Sequence, residues 1–322
     1  MVPVPWTDLP GWGAESMADV WALLLGNCQR PGPLMSGLCP QIRRLTLDDE
    51  ATQRQWLMQH LQPHRIESLQ GEASGLLTAY YEPVLQAQRL PGKGFSTPLY
   101  KPPVGWRAGQ PWYTRQEIDT LPQAQAALRG REIAWLADPI DALVLQIQGS
   151  GRLRITEADG QVRMVRVAFA GSNEQPYQSV GRWLLDQNET KDASWSGIKA
   201  WLERNPQRVQ ALMWNNPRYV FFKEEPLADE TIGPRGAQGL PLTPGRSIAV
   251  DPRSVSYGTP LWLVSAGPTQ NLQRLVVAQD TGSAITGAVR ADLYMGTGVL
   301  AGEVAGRMKQ TLRLWALLPK TP

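Results

Sequence analysis

The chain has 322 residues, which is enough to bury a substantial core and to form two domains. Its 32 Lys and Arg are nearly balanced by 29 Asp and Glu, and no basic run alternates with aromatic residues, so the sequence argues against a nucleic-acid partner. No apolar stretch reaches 18 residues and no Cys or His cluster has metal-ligand spacing, so we expect no membrane span, no metal and no cofactor.

Two amphipathic helices are predicted near the N-terminus, over residues 15–30 and 46–61. Thr46 is a candidate N-cap for the second, because acidic residues favoured by the helix dipole follow it: Asp48, Asp49 and Glu50. Two interpretations of Cys28 stay open. It packs as a small apolar residue, or it forms a disulfide with Cys39 in an oxidising compartment.

The middle of the chain mixes predicted strands with short helices. An apolar, aromatic strand runs over residues 75–83, and the Pro- and Gly-rich segment 90–98 predicts a linker or a domain crossing. A capping box, Thr114 with Glu117, starts a short helix. Residues 141–148 alternate polar and apolar side chains, as a strand does, and end at a Gly-Ser-Gly turn.

A hairpin is predicted over residues 152–168, and helical patterns then cover 175–187 and 195–214. Ser194 is the candidate N-cap of the last stretch, and Pro206 divides it into two short helices.

The last third of the chain is rich in short strands between Gly and Pro turns, as in a small barrel. The predicted strands are residues 218–222, 243–250, 260–264, 272–279, 290–294 and 312–318. A helix weakened by glycines is predicted over 295–308. Because strands occur in clusters and do not alternate with long helices, the pattern disfavours a doubly wound sheet.

Three aspartates stand at the ends of predicted strands beside Gly-rich turns: Asp251, Asp280 and Asp292. Polar residues in such positions often line a binding groove, but an Asp before Thr-Gly also caps a turn with its side chain. Both interpretations stay open for Asp280, whereas no turn residue directly follows Asp292, which favours a functional role.

A carboxylic acid that donates a proton near neutral pH needs a raised pKa, from burial or from a like charge. Asp280 near Asp292 would supply the like charge. Arg290 shares a strand face with Asp292 and would lower the pKa of that carboxyl if it pointed at it. The sequence leaves the orientation of Arg290 open.

Five motifs follow one another between about residue 70 and the C-terminus. They are Gly75-Leu-Leu-Thr-Ala-Tyr-Tyr-Glu-Pro, Gln146-Ile-Gln-Gly-Ser-Gly-Arg-Leu, Phe169-Ala-Gly-Ser-Asn-Glu-Gln-Pro-Tyr-Gln-Ser-Val-Gly, Asn216-Pro-Arg-Tyr-Val-Phe-Phe and Ala278-Gln-Asp-Thr-Gly-Ser-Ala-Ile-Thr-Gly-Ala-Val-Arg-Ala-Asp. Together they resemble the MltA family of membrane-bound lytic murein transglycosylases. Residues 245–298 resemble its 3D domain, which is named for three aspartates.

The resemblance implies a mainly β fold with short helices. A double-psi β-barrel domain would comprise residues 1–95 and 219–322, and a smaller β-rich domain, residues 96–218, would be inserted into it. A glycan strand would occupy a groove between the two domains.

The resemblance also implies a reaction and a site. The family cleaves the β-1,4 bond between N-acetylmuramic acid and N-acetylglucosamine without water, leaving a 1,6-anhydro end. Asp292 maps to the single catalytic acid and base, and Asp280 to a supporting carboxylate. One dominant carboxylate makes chemical sense, because the sugar's own C6 hydroxyl is the nucleophile and no water-activating base is needed.

Further residues of these motifs are expected to contact the glycan. Aromatic rings can stack on sugars, and amides or bare backbone can bond acetamido and hydroxyl groups. The expected contacts are Tyr80, Tyr81, Gln146, Gln148, Gly149, Ser150, Gly151 and Asp251. The resemblance gives Glu82 no catalytic role.

The expected partner is the glycan strand of peptidoglycan, with cell-wall remodelling proteins as further candidates and a monomer as the expected state. The substrate implies action in the periplasm or at the outer membrane, although no export signal and no lipid-attachment cysteine are visible in the sequence. Two alternatives stay open: an inverting glycoside hydrolase that uses Asp292 as acid and Asp280 as base, and a glycan-binding protein without catalysis.

Overall fold

The computed structural model describes residues 1–45 and 49–320. Within them the helices are short, and none is long and apolar enough to cross a membrane. The helices are α1 Met17–Asn27, α2 Cys39–Arg44, α3 Glu50–His60, α4 Arg115–Thr120, α5 Pro122–Leu128, α6 Pro139–Gln148, α7 Val180–Asp186, α8 Trp195–Arg204, α9 Val209–Asn215 and α10 Val299–Arg307.

The strands form two sheets. They are β1 Val2–Pro3, β2 Leu61–Arg65, β3 Gly75–Glu82, β4 Val84–Gln88, β5 Thr97–Tyr100, β6 Glu132–Leu136, β7 Ser150–Thr156, β8 Val162–Ser172, β9 Val220–Pro226, β10 Ser247–Ala249, β11 Pro260–Ala266, β12 Leu272–Asp280, β13 Arg290–Thr297 and β14 Lys309–Pro319. The predicted fold class, mainly β with short helices and a barrel beside a second sheet, is confirmed.

The chain divides into two compact units. The first comprises Met1–Tyr81, Thr231–Gly296 and Glu303–Pro322, and the second comprises Glu82–Glu230 and Thr297–Gly302. The sequence predicts domain boundaries near residues 95 and 219. The two units divide at residues 81–82 and 230–231, and Thr297–Gly302 is a second, short segment of the second unit.

The sheet of the first unit closes on itself. Its strand order is β1-β2-β14-β11-β12-β10-β13-β3, and β3 also pairs with β14, so the six strands from β14 to β3 form a ring. One face of every strand in the ring contributes to a single buried cluster, which is therefore the barrel interior. Its members include Leu77, Ile248, Leu261, Val276, Leu293 and Leu314.

The N-terminal helices α1 to α3 cover part of the outer face of the barrel. Trp262, Val277 and Trp315 project from the strands into a second cluster with side chains of α1 to α3, such as Trp21 and Leu57. Strand residues thus alternate between the two clusters, as the two-residue period of a strand requires.

The second unit is built on a six-stranded sheet in the order β5-β6-β4-β7-β8-β9. The predicted hairpin at 152–168 is present as β7 and β8, which pair from Ser150 opposite Ala168 to Thr156 opposite Val162. The core of this unit includes Leu99, Ile133, Leu145, Leu153, Val167 and Phe222.

Residues 141–148 lie in helix α6, so the predicted strand is wrong. Asp138 is its N-cap and accepts the N–H of Ile140 (2.8 Å). Pro139 occupies the first helical position, where its missing N–H costs nothing, and Gly149 ends the helix with φ of 81°. These capping signals outweigh a polar–apolar alternation of a few residues.

Two predicted helix starts also change. Helix α3 has Asp49 as its N-cap, accepting the N–H of Ala51 (3.0 Å), so this residue precedes the first turn; Thr46 and Asp48 lie outside the described residues. Helix α10 begins only at Val299, because Met295 to Thr297 continue strand β13.

Cys28 and Cys39 form a disulfide, with their Cα atoms 5.5 Å apart. Cys28 follows α1 and Cys39 begins α2, and both are buried in the cluster that covers the barrel. The bond therefore links helices α1 and α2 within the cluster that covers the barrel. Of the two interpretations that the sequence left open, the structure has the disulfide.

Removing this bond should lower the stability of the first unit. The bridge spans 11 residues, and closing a loop of that size in the unfolded chain is worth about 3 kcal/mol. We expect the variant Cys28→Ala with Cys39→Ala to lose about that much free energy of unfolding in urea. Reductant should destabilise the parent protein and leave the variant unchanged; an equal response of both would contradict a structural role for the bond.

Candidate active site

Strand β10 places two carboxylates on one face of the barrel wall. Its last residue, Ala249, is opposite Asp280 of β12 on one side and Asp292 of β13 on the other. Residues directly opposite each other on neighbouring strands project to the same face, and two strand spacings put the two Cα atoms about 10 Å apart.

A shift in strand register directs Asp280 to this face. Ile248 is opposite Ala278, but the next residue of β10 is opposite Asp280, so Gln279 is passed over. Ala278 points into the barrel interior. Asp280 is two residues further along the strand, so in a regular strand it would also point into the barrel. The register shift at Gln279 turns the Asp280 side chain to the outer face, as β-bulges beside functional sites often do.

Strand β3 supplies a hydroxyl group to each carboxylate. The Thr78 hydroxyl donates to Asp292 Oδ1, and the Tyr80 hydroxyl donates to Asp280 Oδ2 (2.8 Å). Thr78 and Tyr80 are two residues apart and share a strand face, whereas Leu77 between Leu76 and Thr78 points into the barrel. One strand therefore holds both aspartates in place.

A loop before β10 holds the other oxygen of Asp280. The N–H of Ala237 donates to Asp280 Oδ1 (3.0 Å), and the neighbouring Gln238 N–H donates to the Gln279 carbonyl (2.9 Å). A Cβ on Gly236 would lie 2.4 Å from that carbonyl oxygen, so the loop can approach β12 only with glycine at this position.

Burial raises the pKa values of both carboxyl groups. For Asp280, hydrogen bonds from Tyr80, Thr281 and Ala237 act in the opposite direction and stabilise the charged form. For Asp292, one hydrogen bond from Thr78 and the charge of Arg290 lower the pKa, and the negative charge of Asp280 raises it.

The two environments therefore differ. Asp280 receives three hydrogen bonds that favour the carboxylate, and Asp292 receives one. Burial also raises the pKa of Tyr80 well above its usual value, so its hydroxyl stays protonated and keeps donating to Asp280. The hydrogen bonds therefore favour the charged form more at Asp280 than at Asp292, which is the asymmetry expected where one of two carboxyls must hold a proton.

Arg290 acts on Asp292 through Thr78. Its Nη2 donates to the Thr78 hydroxyl (2.8 Å), which in turn donates to the aspartate, and its Nη1 donates to the carbonyl of Ala291. The guanidinium thus orients the hydroxyl and lowers the pKa of Asp292 by its charge, but burial remains the larger influence on that carboxyl.

Asp251, the third aspartate, is placed differently. It is buried beyond the end of β10 and accepts hydrogen bonds from the Arg253 side chain (2.8 and 2.9 Å) and from the N–H of Gly287 (2.9 Å). These contacts hold the pKa of Asp251 well below its usual range. It is therefore a permanent carboxylate that fixes the loop leading to β13, and glycan contact by Asp251 stays a prediction.

In the second unit, the predicted glycan contacts lie around the end of helix α6. Gln146 is buried, and its Oε1 accepts from Arg115 Nη2 (2.6 Å). Gln148, Gly149 and Ser150 are partly exposed, and Gly151 is buried. Their contact with glycan, like that of the partly exposed Tyr80 and Tyr81, stays a prediction.

Sequence reasoning did not identify Thr78, Ala237 or Ala249 as parts of the site. A signal existed for Thr78, since it lies two residues before Tyr80 on a strand and must share its face. Ala237 comes from a loop more than 40 residues away in sequence from Asp280, a contact that no local pattern reports.

Two family models match the chain. The model of the MltA specific insert domain matches residues 76–223, and the model of the 3D domain matches residues 246–318. The membrane-bound lytic murein transglycosylase A of Vibrio cholerae is 33% identical over 254 residues, which are 75% of this chain and 65% of that protein. The protein of that name from Escherichia coli K12 is also 33% identical and is covered over 64% of its length.

Solved structures extend the similarity to almost the whole chain. The lytic transglycosylase LtgG of Burkholderia pseudomallei is 43% identical, with a TM-score of 0.65 over 99% of this chain and 95% of that one. MltA from Neisseria gonorrhoeae is 30% identical, with a TM-score of 0.80 over 99% and 92%. E. coli MltA with bound chitohexaose is 27% identical, with a TM-score of 0.78 over 99% and 94%.

The two matched models cover the segments that build the second sheet and the aspartate-bearing barrel wall, and the solved structures of LtgG and N. gonorrhoeae MltA are covered over 95% and 92% of their own chains. The resemblance seen in the five motifs is therefore confirmed: the chain belongs to the MltA family of lytic murein transglycosylases.

Proposed function

We propose that this protein is a lytic transglycosylase that cleaves the β-1,4 bond between N-acetylmuramic acid and N-acetylglucosamine in peptidoglycan, leaving a 1,6-anhydro end. The observation that carries the proposal is the unequal environment of the two carboxyls beside Ala249. Burial raises the pKa of both, but Asp292 has a single hydrogen-bond donor and Asp280 has three, so the protonated form is opposed by fewer hydrogen bonds at Asp292. The membership of the family and the glycan bound by E. coli MltA support the substrate class.

Asp292 serves in turn as acid and base. As the carboxylic acid it gives its proton to the glycosidic oxygen while the bond from that oxygen to C1 of the muramic residue breaks. As the carboxylate it then takes the proton from the C6 hydroxyl, whose oxygen bonds to C1. The proton returns to Asp292 and no water is consumed, so the site needs no second base.

Asp280 is the supporting carboxylate. Its negative charge adds to the effect of burial in raising the pKa of Asp292 and so favours the protonated acid. Positive charge develops at C1 as the glycosidic bond breaks, and a fixed carboxylate nearby stabilises it. The hydrogen bonds from Tyr80 and Ala237 favour the charged form of Asp280 against the effect of burial and fix the carboxyl group in position for both purposes.

The other expected glycan contacts extend this proposal. The rings and hydroxyls of Tyr80 and Tyr81 would stack on or bond to sugar rings, and Gln148 with the Gly149-Ser150-Gly151 backbone would offer amide and backbone partners for acetamido groups. Gln146 is occupied by Arg115 and would act by supporting that turn. Asp251 would act by holding the Gly287 loop.

The curated relatives are named as membrane-bound, which supports association with the cell envelope. Within it, we propose that this protein acts in the periplasm or at the outer membrane, as a monomer on glycan strands. The buried Cys28–Cys39 disulfide supports an oxidising compartment outside the cytoplasm. Cell-wall remodelling proteins remain the candidate partners.

The mass of the products tests the proposed reaction. Purified peptidoglycan digested with this protein should give muropeptides with 1,6-anhydro ends. Products one water heavier, with reducing ends, would instead identify the inverting hydrolase with Asp280 as base. Binding of glycan without any new ends would identify the non-catalytic glycan-binding alternative.

The variant Thr78→Val tests how Thr78 and Arg290 tune the acid. Valine keeps the shape of threonine but removes the hydroxyl. That hydroxyl lowers the pKa of Asp292 by its hydrogen bond and is itself hydrogen-bonded to Arg290. Because the acid must be protonated, the fall of kcat/KM at high pH should move to higher pH. The measurement is the pH profile on soluble glycan strands.

Thr78→Ser keeps the hydroxyl and is the matched control, with the parent profile expected. An unchanged profile in the valine variant would show that the titrating group is not Asp292.

A further inference from the structure

A cavity of about 590 Å³ lies within the second unit, apart from the two carboxylates of the barrel wall. Its size is within the range of ligand sites, about 300–1,000 Å³. Apolar side chains, including Ile118, Ala142 and Met213, share its lining with polar and charged groups from helices α4, α6 and α9. The charged groups decide what it can hold.

Arg115 of α4 is 2% exposed and lines this cavity. Its Nε donates to the Asn216 carbonyl (3.0 Å), and its Nη2 donates to Gln146 Oε1 and the Arg218 carbonyl (2.6 Å each). Across residues 1–45 and 49–320, no group pairs with Nη1 and no carboxylate comes within ion-pair distance of the guanidinium. Buried guanidinium groups ordinarily have an anionic partner.

Asp119 brings the opposite charge to the rim of the same cavity. It lies one helical turn after Arg115, on the same side of α4, and is exposed. Its Oδ2 accepts from Trp214 Nε1 (2.8 Å). In the described part of the chain, no hydrogen-bond donor contacts its other oxygen, Oδ1. The two charges attract each other without forming an ion pair.

We propose that this cavity binds the end of a peptide, or an amino acid, that carries both a carboxylate and an ammonium group. The carboxylate bonds to Arg115 Nη1 and the ammonium group to Asp119, while the apolar lining contacts the carbon chain. A neutral sugar fits less well, because it would leave the buried guanidinium without a counter-charge.

The proposal rests on the proposed function in one respect, the source of the ligand. Peptidoglycan carries stem peptides with free carboxylate and amine groups, so an enzyme that cleaves its glycan meets this chemistry on its substrate. A free amino acid offers the same two groups. The cavity would in the first case select glycan by its peptide, and in the second case sense a small molecule.

Calorimetric titration of the full chain separates these cases. The probes are a stem tripeptide whose last residue has a free carboxylate and a free amine, the same peptide amidated at that carboxylate, the same peptide acetylated at that amine, the amino acid alone, and chitohexaose. We expect the tripeptide to bind and each modification to weaken it about tenfold or more, the effect of losing one charge-assisted hydrogen bond. Equal affinity for the amino acid alone would identify a free small molecule as the ligand.

Variants locate the binding to the cavity. Asp119→Asn removes the charge at the rim, and Ala142→Leu fills the apolar part; each should weaken the tripeptide about tenfold or more. Arg115→Lys is a riskier change because Arg115 also holds two backbone carbonyls, so it is interpreted only if its thermal unfolding matches the parent. Asp159→Asn, in an exposed turn, is the matched control and should bind as the parent does.

Three results would overturn the proposal: no tripeptide binding at millimolar concentration, binding unaffected by Asp119→Asn and Ala142→Leu, or displacement of the tripeptide by chitohexaose. Failure of the proposed function is a separate result. If the protein made no anhydro ends but still bound the tripeptide through Asp119, the cavity assignment would stand and the transglycosylase assignment would fall.

Discussion

Asp292→Asn is expected to reduce the rate of glycan cleavage by a factor of about 10²–10⁴ or more, since this is the usual contribution of a positioned acid or base and Asp292 serves as both. Asparagine keeps the shape of the side chain and an oxygen that can accept from Thr78, but it has no proton to give. The measurement is kcat/KM on soluble glycan strands, followed by release of anhydro ends.

The same variant should be more stable than the parent at neutral pH. The folded-state pKa of Asp292 is raised above its unfolded value, so folding favours the protonated form. The contribution to stability is fully present below the unfolded pKa of about 3.9 and is lost as the pH rises through the raised folded pKa. Asparagine cannot ionise and avoids that loss, so the difference in free energy of unfolding should appear at neutral pH and shrink at acidic pH.

Activity and stability moving in opposite directions would be the mark of a functional carboxyl held at a cost to the fold. Asp159→Asn in the exposed turn should change neither. If Asp292→Asn kept full activity, the assignment of the acid would be wrong. If Asp280→Asn abolished activity to the same extent and the products carried reducing ends, Asp280 would be the base of a hydrolase.

The carboxylates themselves could be predicted from the sequence, but not the way in which Asp280 reaches the site. Two-residue alternation would direct Asp280 to the same side as Ala278, into the barrel. The register shift at Gln279 reverses this, and it arises from the pairing of β10 with β12, more than 20 residues apart in the chain. Local periodicity has no access to such a long-range cause.

The sequence predicts only part of the contact between Thr78, Tyr80 and the aspartates. Alternation on β3 requires the two hydroxyls to share a face, but only the closed barrel brings β3 beside β13. For helix α6 the deciding signal is local. Asp138 followed by Pro139 is a helix start that the sequence itself shows, and it is a stronger indicator than the polar–apolar alternation over residues 141–148.

The orientation of Arg290 was the main open point. The sequence allowed a direct ion pair with Asp292, which would have weakened that residue as an acid. In the structure the guanidinium bonds to the Thr78 hydroxyl and to a backbone carbonyl, so Arg290 lowers the pKa of Asp292 by its charge and also orients the hydroxyl that bonds to that carboxyl. Thr78 therefore helps to set the pKa of the proposed acid, Asp292.

Glu82 is the other carboxylate of the Gly75–Pro83 motif, and the second unit uses it differently. It is fully buried, with its Oε1 bonded to Arg166 Nε (2.6 Å) and its Oε2 to Arg152 Nε and the Thr297 hydroxyl (2.8 Å each). Both oxygens are thus occupied by partners within one unit. This arrangement agrees with the expectation from the resemblance that Glu82 has no part in catalysis.

Glu82→Gln should therefore destabilise the protein by about 3–5 kcal/mol, because it leaves the buried guanidinium groups of Arg152 and Arg166 without their shared negative charge. The measurement is the free energy of unfolding in urea. Asp186→Asn removes the partner of Arg182 in an exposed i,i+4 pair and should cost only about 0.3–0.5 kcal/mol. Where the variant remains folded, its kcat should stay near the parent value. A stability loss no larger than that of Asp186→Asn would show that the buried arginines find other partners, and a loss of kcat in folded protein would return Glu82 to the catalytic candidates.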